Sequence, residues 1–197
     1  MVNHKVKLGL LLVLAAGLFS VQLLTWRIDA SPAVLNAIDK LNGEWVDRPA
    51  PDFNLPTATG ELKTLKDFRG KVIFLNFWGS FCAPCRKEMP SMEKLVRQYE
   101  SQGMAMVAIS FDPEKKDMVD FMASFLPNDN SAMTVLWDPT SQTGKEYGTE
   151  LIPETYIIDR DGRIVARFVN SYDWTRPEVK QLIEALLRDE SASSNLL

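Results

Sequence analysis

The segment Val72-Ile73-Phe74-Leu75-Asn76-Phe77 is apolar at every position but one, and Cys82 and Cys85 follow it closely. A strand of this kind has no face to give to water. It belongs in the middle of a sheet covered on both sides, as in α/β architectures. Met104–Phe111 reads as a second such strand. Apolar positions at helical spacing follow each strand: Met89, Met92, Val96 and Tyr99, then Met118, Phe121, Met122, Phe125 and Leu126. The second of these helices should stop at Pro127 and the polar stretch Asn128–Ser131. Thr134–Trp137 has strand character, and Ser141–Tyr147 reads as a short helix closed by Gly148. Thr155–Ile158 and Ile164–Val169 flank Asp159-Arg160-Asp161-Gly162-Arg163, a hairpin signal. A last helix begins near Pro177, with Val179, Leu182, Ile183, Leu186 and Leu187 facing inward. Upstream, Phe53–Leu55 and Glu61–Leu65 predict a short hairpin. Together these patterns predict an α/β fold: a mixed central sheet flanked by helices on both faces, with an N-terminal hairpin extension.

The N-terminus adds a different constraint. Lys5 and Lys7 precede an uncharged run from Leu8 to Trp26. As a helix that run would span roughly 28 Å, close to a bilayer core. Basic residues before the run predict that the short N-terminus stays inside and the remainder is exported. A cleaved signal peptide is the competing reading, with a typical apolar region of about 7–15 residues. The nearest small-residue site, Ser31-Pro32-Ala33, lies well downstream of the run. The predicted organisation is a cytoplasmic N-terminus (1–7), a membrane anchor helix (8–26), a linker (27–49) with some helix around Pro32–Leu41, one folded domain (50–188) and a flexible tail (189–197). A chain of 197 residues that is 46% hydrophobic suits one core. The net charge is −4 and no basic stripe with interleaved aromatics occurs, so nothing supports nucleic acid as a partner.

The chain has two cysteines. A bridge between Cys82 and Cys85 closes almost no loop, so it stabilises little and reads as chemistry rather than as a staple. Disulfide exchange needs a thiolate that attacks and a second thiol close enough to release the mixed disulfide. A pair at the start of a helix supplies both, because unpaired N–H groups and the positive helix end lower the pKa of the first thiol. The other reading is a zinc half-site, but structural zinc takes four ligands, and the single histidine, His4, precedes the apolar run.

The stretch Phe77-Trp78-Gly79-Ser80-Phe81-Cys82-Ala83-Pro84-Cys85-Arg86-Lys87-Glu88-Met89-Pro90 resembles the active-site signature of thioredoxin-like proteins. More narrowly it resembles the TlpA/ResA family, which includes the CcmG/DsbE-type proteins of cytochrome c maturation. Ala50-Pro51-Asp52-Phe53-Asn54-Leu55, Asp67-Phe68-Arg69-Gly70-Lys71 and Ile152-Pro153-Glu154-Thr155-Tyr156-Ile157-Ile158-Asp159 are similar to that family too, so the resemblance runs from about Ala50 to Leu187. It implies a thioredoxin fold in which Cys82 is the nucleophile, Cys85 the resolving thiol, and Cys82–Cys85 the redox-active disulfide. It also implies a cis Pro153 beside the cysteines, whose loop offers backbone for a substrate strand. Pro84 lies between the cysteines, and Pro90 matches the family's helix-kinking proline. Glu88 matches an active-site glutamate of the ResA-like group, and Glu154 the acid after the cis-proline in CcmG-like members. Asn76 stands where cytoplasmic thioredoxins carry a buried acid, and Phe81 where the family commonly has tryptophan.

Each supporting residue also has a plainer reading. Glu88 and Glu154 could be solvated acids, Asn76 a satisfied buried amide, Pro153 an ordinary loop proline, and Trp78 a packing residue rather than a lining one. The function implied is extracytoplasmic reduction of disulfides in a protein substrate, apocytochrome c foremost, with re-reduction by a membrane donor of the CcdA or DsbD type. No cofactor is implied. Between the cysteines, Ala83-Pro84 lacks the histidine of the strong oxidant DsbA, which favours reduction. General thiol reduction or oxidative folding are alternatives within the same chemistry. A copper-binding oxidase assembly factor of the Sco type would use two cysteines and a histidine at another spacing, although thiolates alone suit Cu(I). A peroxiredoxin-type peroxidase shares the fold but needs another cysteine setting.

Overall fold

The structure, a computed structural model, describes residues 31–125 and 131–188. In chain order the elements are α1 (Pro32–Lys40), β1 (Glu44–Pro49), β2 (Asn54–Pro56), β3 (Leu62–Thr64), β4 (Val72–Trp78), α2 (Ala83–Tyr99), β5 (Met104–Ser110), α3 (Lys115–Phe125), β6 (Thr134–Trp137), α4 (Gln142–Tyr147), β7 (Glu154–Ile158), β8 (Arg163–Val169) and α5 (Pro177–Arg188). Short 3₁₀ turns occupy Leu65–Phe68 and Glu100–Gln102.

The main sheet has the order β1-β8-β7-β4-β5-β6, and β2 and β3 form a separate hairpin. β4, β5 and β6 are parallel, whereas β4–β7, β7–β8 and β8–β1 are antiparallel. β4 and β5 are buried at all positions, as central strands of a sheet covered on both faces must be. Ile73, Leu75 and Phe77 point into a core shared with Phe53, Phe68, Tyr147 and Tyr156, under the hairpin, the first 3₁₀ turn and α4. The alternate residues point the other way: Phe74 meets Trp174 edge-on at 4.6 Å, and Asn76 bonds Glu88 on α2. On that face α2 and α5 are joined by Tyr99 Oη donating to Glu184 Oε1 at 2.7 Å.

Residues 32–49, read from the sequence as part of a linker, belong to the folded unit. Val34, Ala37 and Ile38 bury one stripe of α1, which packs against α5, and β1 pairs with β8 along the edge of the main sheet. The strand was hidden because β1 is polar, lacks alternation, and carries a register shift between Trp45 and Arg48. The folded unit therefore starts upstream of Ala50. Among the described residues of the apolar row expected to face the core, α3 buries Met118, while Phe121, Met122 and Phe125 are half-buried. Phe121 instead leans on Trp78 at 5.4 Å, with Phe125 stacked on it at 6.0 Å. The anchor expected at 8–26, the helix stop at Pro127 and the tail at 189–197 lie outside the described residues. No helix among those described is long and apolar enough to cross a membrane.

Candidate active site

Cys82 and Cys85 form a disulfide with an S–S distance of 2.01 Å. Cys82 is the N-cap residue of α2, in extended conformation, and its sulfur accepts the Cys85 amide at 3.2 Å. Pro84, inside the first turn, removes an N–H that no helix carbonyl could have served. Cys82 retains 8% exposure while Cys85 has none, so the first cysteine is the less enclosed of the two. The Ile152–Pro153 bond is cis and carries the Ile152 carbonyl to 3.8 Å from Cys82 Sγ. Phe81 and Leu151, the chain neighbours of Cys82 and Ile152, are exposed apolar residues at 63% and 75%.

Behind the disulfide lies a buried polar network. Glu88, three residues after Cys85 and so on the same side of α2, is 2% exposed. Its carboxylate accepts from Asn76 Nδ2 at 3.0 Å, the Tyr172 amide at 3.1 Å and Trp174 Nε1 at 3.0 Å. Burial raises its pKa to about 7, against the opposing pull of these three donors. Asn76 also donates to Thr155 Oγ1 at 2.9 Å, which ties the network to the strand following cis-Pro153. Asn76 Oδ1 has no partner in this arrangement. An amide can turn over, so Asn76 suits both forms of Glu88: it donates to the carboxylate, or accepts from the protonated acid. The amide of Asn76 on β4 is thus joined to a carboxyl group that comes from the helix.

Glu154 is also buried, at 1% exposure, and is not the solvated acid that the plainer reading allowed. It lies on the other face of the sheet, alternating with Thr155, and pairs with Arg167 on β8. Arg167 reaches Glu44 of β1 at 3.2 Å as well. Trp78 is fully buried and packs against Phe121, so it lies beneath the site and does not line it.

Four contributors were not singled out from the sequence. Tyr172 and Trp174 supply donors to Glu88 from a loop far along the chain, and Thr155 completes the Asn76 contact. Asp112, two residues beyond β5, accepts from both the amide and the hydroxyl of Ser80, just before Cys82. Its position past the C-terminal end of a central parallel strand is the signal that could have found it, since functional loops gather there in open α/β sheets.

Comparison with known proteins follows the same line. The model of the AhpC/TSA family matches residues 46–167. The thiol-disulfide oxidoreductase ResA of Geobacillus thermodenitrificans is 33% identical over 141 residues, covering 72% of this chain and 78% of its own. The thioredoxin-like protein YneN of Bacillus subtilis is 36% identical over 135 residues, covering 68% and 76%. A crystal structure described as a thiol:disulfide interchange protein DsbE from Chlorobium tepidum superposes with a TM-score of 0.65 at 34% identity, over 72% of this chain and 96% of that one. A cysteine at a helix N-cap, a fully buried partner cysteine and a cis-proline beside them suit dithiol–disulfide exchange. The chain belongs to the AhpC/TSA family of thioredoxin-like proteins and is a thiol–disulfide oxidoreductase similar to ResA and DsbE.

Proposed function

We propose that the protein is a reductase of protein disulfides, tethered to the cytoplasmic membrane by residues 8–26 and working on the extracytoplasmic side. Cys82 is the nucleophile. As a thiolate it attacks a substrate disulfide, forming a Cys82–substrate bond and releasing one substrate thiolate. Cys85 then attacks Cys82 Sγ, the second substrate thiolate leaves, and the Cys82–Cys85 disulfide remains. Two electrons pass to the substrate, and protons end on its two thiols. Cys85 is fully buried and must lose a proton before it attacks; Glu88, with a pKa of about 7, is the group placed to take it. Asn76 holds Glu88 in either protonation state. The cis-Pro153 loop offers the backbone along which an extended substrate segment pairs.

The preferred substrate in this reading is the cysteine pair of apocytochrome c, which must be reduced before haem attaches. A membrane donor of the CcdA or DsbD type restores the dithiol. The resemblance to ResA and DsbE supports this assignment, and the uncharged run after Lys5 and Lys7 supports the tether. The observation that carries the direction of electron flow is the surroundings of the sulfur pair. Alanine and proline, with no histidine to stabilise a thiolate, stand between the cysteines, and Glu88, a buried carboxyl whose hydrogen-bond partners are all neutral, lies one turn on.

The reduction potential tests it. Purified protein equilibrated in defined thiol buffers, with the free thiols trapped by alkylation, should titrate near or below about −220 mV. A potential near about −120 mV, the range of DsbA, would overturn the reductase reading in favour of oxidative folding.

A further inference from the structure

Asp112 is 1% exposed, and its carboxylate oxygens accept from the Ser80 amide at 3.1 and 3.0 Å, the Ser80 hydroxyl at 2.6 Å and the Ser110 hydroxyl at 2.6 Å. Its own amide donates to Ser110 Oγ at 3.0 Å, and its carbonyl accepts Trp137 Nε1 at 2.7 Å. One residue thus ties together the ends of β4, β5 and β6 at the edge of the sheet where the disulfide stands. A buried carboxylate is costly unless donors surround it, and here two of its donor groups come from Ser80, in the loop in front of the nucleophile, and a third from Ser110 at the end of β5.

That loop is Gly79-Ser80-Phe81, and the Cys82 amide donates back to Gly79 O at 3.1 Å. A Cβ at Gly79 would lie 2.6 Å from the Phe81 ring, so a side chain there would displace that exposed ring. The placement of Cys82 therefore passes through Ser80. In the oxidised protein the S–S bond also fixes Cys82, but in the dithiol and in the mixed disulfide that tether is gone. The backbone alone then keeps Sγ in line with the Cys85 amide, the contact that favours a thiolate.

We propose that Asp112 is a positioning residue for disulfide exchange: by gripping Ser80 it holds Cys82 at the N-cap of α2 while its sulfur changes partners. This rests on Cys82 being the attacking thiol and is independent of the direction of electron flow.

The test uses the reduced full-length protein and follows iodoacetamide labelling of Cys82 against pH, with mass spectrometry to locate the label. Asp112→Asn and Ser80→Ala are compared with the unsubstituted protein. Both substitutions should move the reactivity profile of Cys82 to higher pH. Labelling at pH 6 should slow by about threefold to tenfold, the span of roughly half to one pKa unit, more for Asp112→Asn than for Ser80→Ala. Exchange with a small model disulfide should slow in parallel. Ser80→Ala removes a single hydroxyl and keeps the test available even if Asp112→Asn does not fold.

Two results overturn the proposal. If Asp112→Asn shifts the profile to lower pH while Ser80→Ala leaves it alone, the carboxylate acts only as a nearby charge. If both variants lower Tm and leave the profile in place, Asp112 serves the fold and not the nucleophile. A label arriving first on Cys85 in the unsubstituted protein would instead overturn the assignment of the two thiols, and the proposal with it.

Discussion

Glu88 and Glu154 are both carboxylates with almost no exposure, and both meet the C-terminal end of β4: Glu88 bonds Asn76 and Glu154 pairs with Phe77. They sit on opposite faces, and their surroundings differ in kind. Glu154 is matched by a guanidinium, which is itself shared with Glu44. Glu88 meets only neutral donors: an amide side chain, a backbone N–H and an indole. Burial is common to the two, so burial does not separate their roles; the charge of the partner does. An ion pair fixes a charge in place, whereas neutral donors around a desolvated acid leave it poised to gain or lose a proton near pH 7.

The comparison can be broken most sharply at Arg167. Replacing Arg167 by Met strands the Glu154 carboxylate in the interior. This should cost about 3 kcal/mol, the low end for a broken buried pair, because Arg167 is 29% exposed. Urea denaturation at pH 7 measures it, and an unchanged midpoint would mean that the pair contributes no charge compensation.

The next effect is the pH dependence that Glu88 imposes. Its carboxyl holds a proton up to about pH 7 in the folded protein and to about 4.5 when unfolded. Between those values the folded state binds more protons, so stability falls as pH rises. The contribution is fully present below about pH 4.5 and lost above about pH 7, a span of roughly 3 kcal/mol. Glu88→Gln should flatten that slope, and denaturant midpoints collected from pH 5 to 8 would show it. If the slope persists in the variant, its source lies elsewhere.

The same substitution sharpens the functional side. Without an acceptor for the Cys85 proton, release of the mixed disulfide should slow by about 100-fold, and the covalent complex should accumulate. Glu154→Gln should change release only a few-fold, so equal effects would erase the distinction between the two acids. The smallest effect is expected from Trp174→Phe. It removes one of the three donors to Glu88 and should raise the pKa of that carboxyl by about half a unit to one unit, at a cost of about 1 kcal/mol. Carboxyl titration by NMR or infrared spectroscopy reads this directly.

Local pattern was sufficient for much of the architecture. The nearly unbroken apolar runs at Val72–Phe77 and Met104–Phe111 admitted only central strands, and β4 and β5 are buried at every position. Period and turn chemistry marked the hairpin after Thr155 and the last helix from Pro177, because each signal lies within a few residues of the element that it specifies. The cysteine pair was legible for the same reason: both sulfurs and the helix they begin are contiguous. β1 was not legible, since a short polar edge strand is held by its neighbour β8 and carries no periodicity of its own. Nor was the character of the two glutamates. Whether a carboxylate meets Arg167 or Trp174 depends on which distant segments the sheet brings beside it, and desolvation and partner charge act through space rather than along the chain. Asp112 follows the same rule: it reaches Ser80, thirty-two residues earlier, because two parallel strands end side by side.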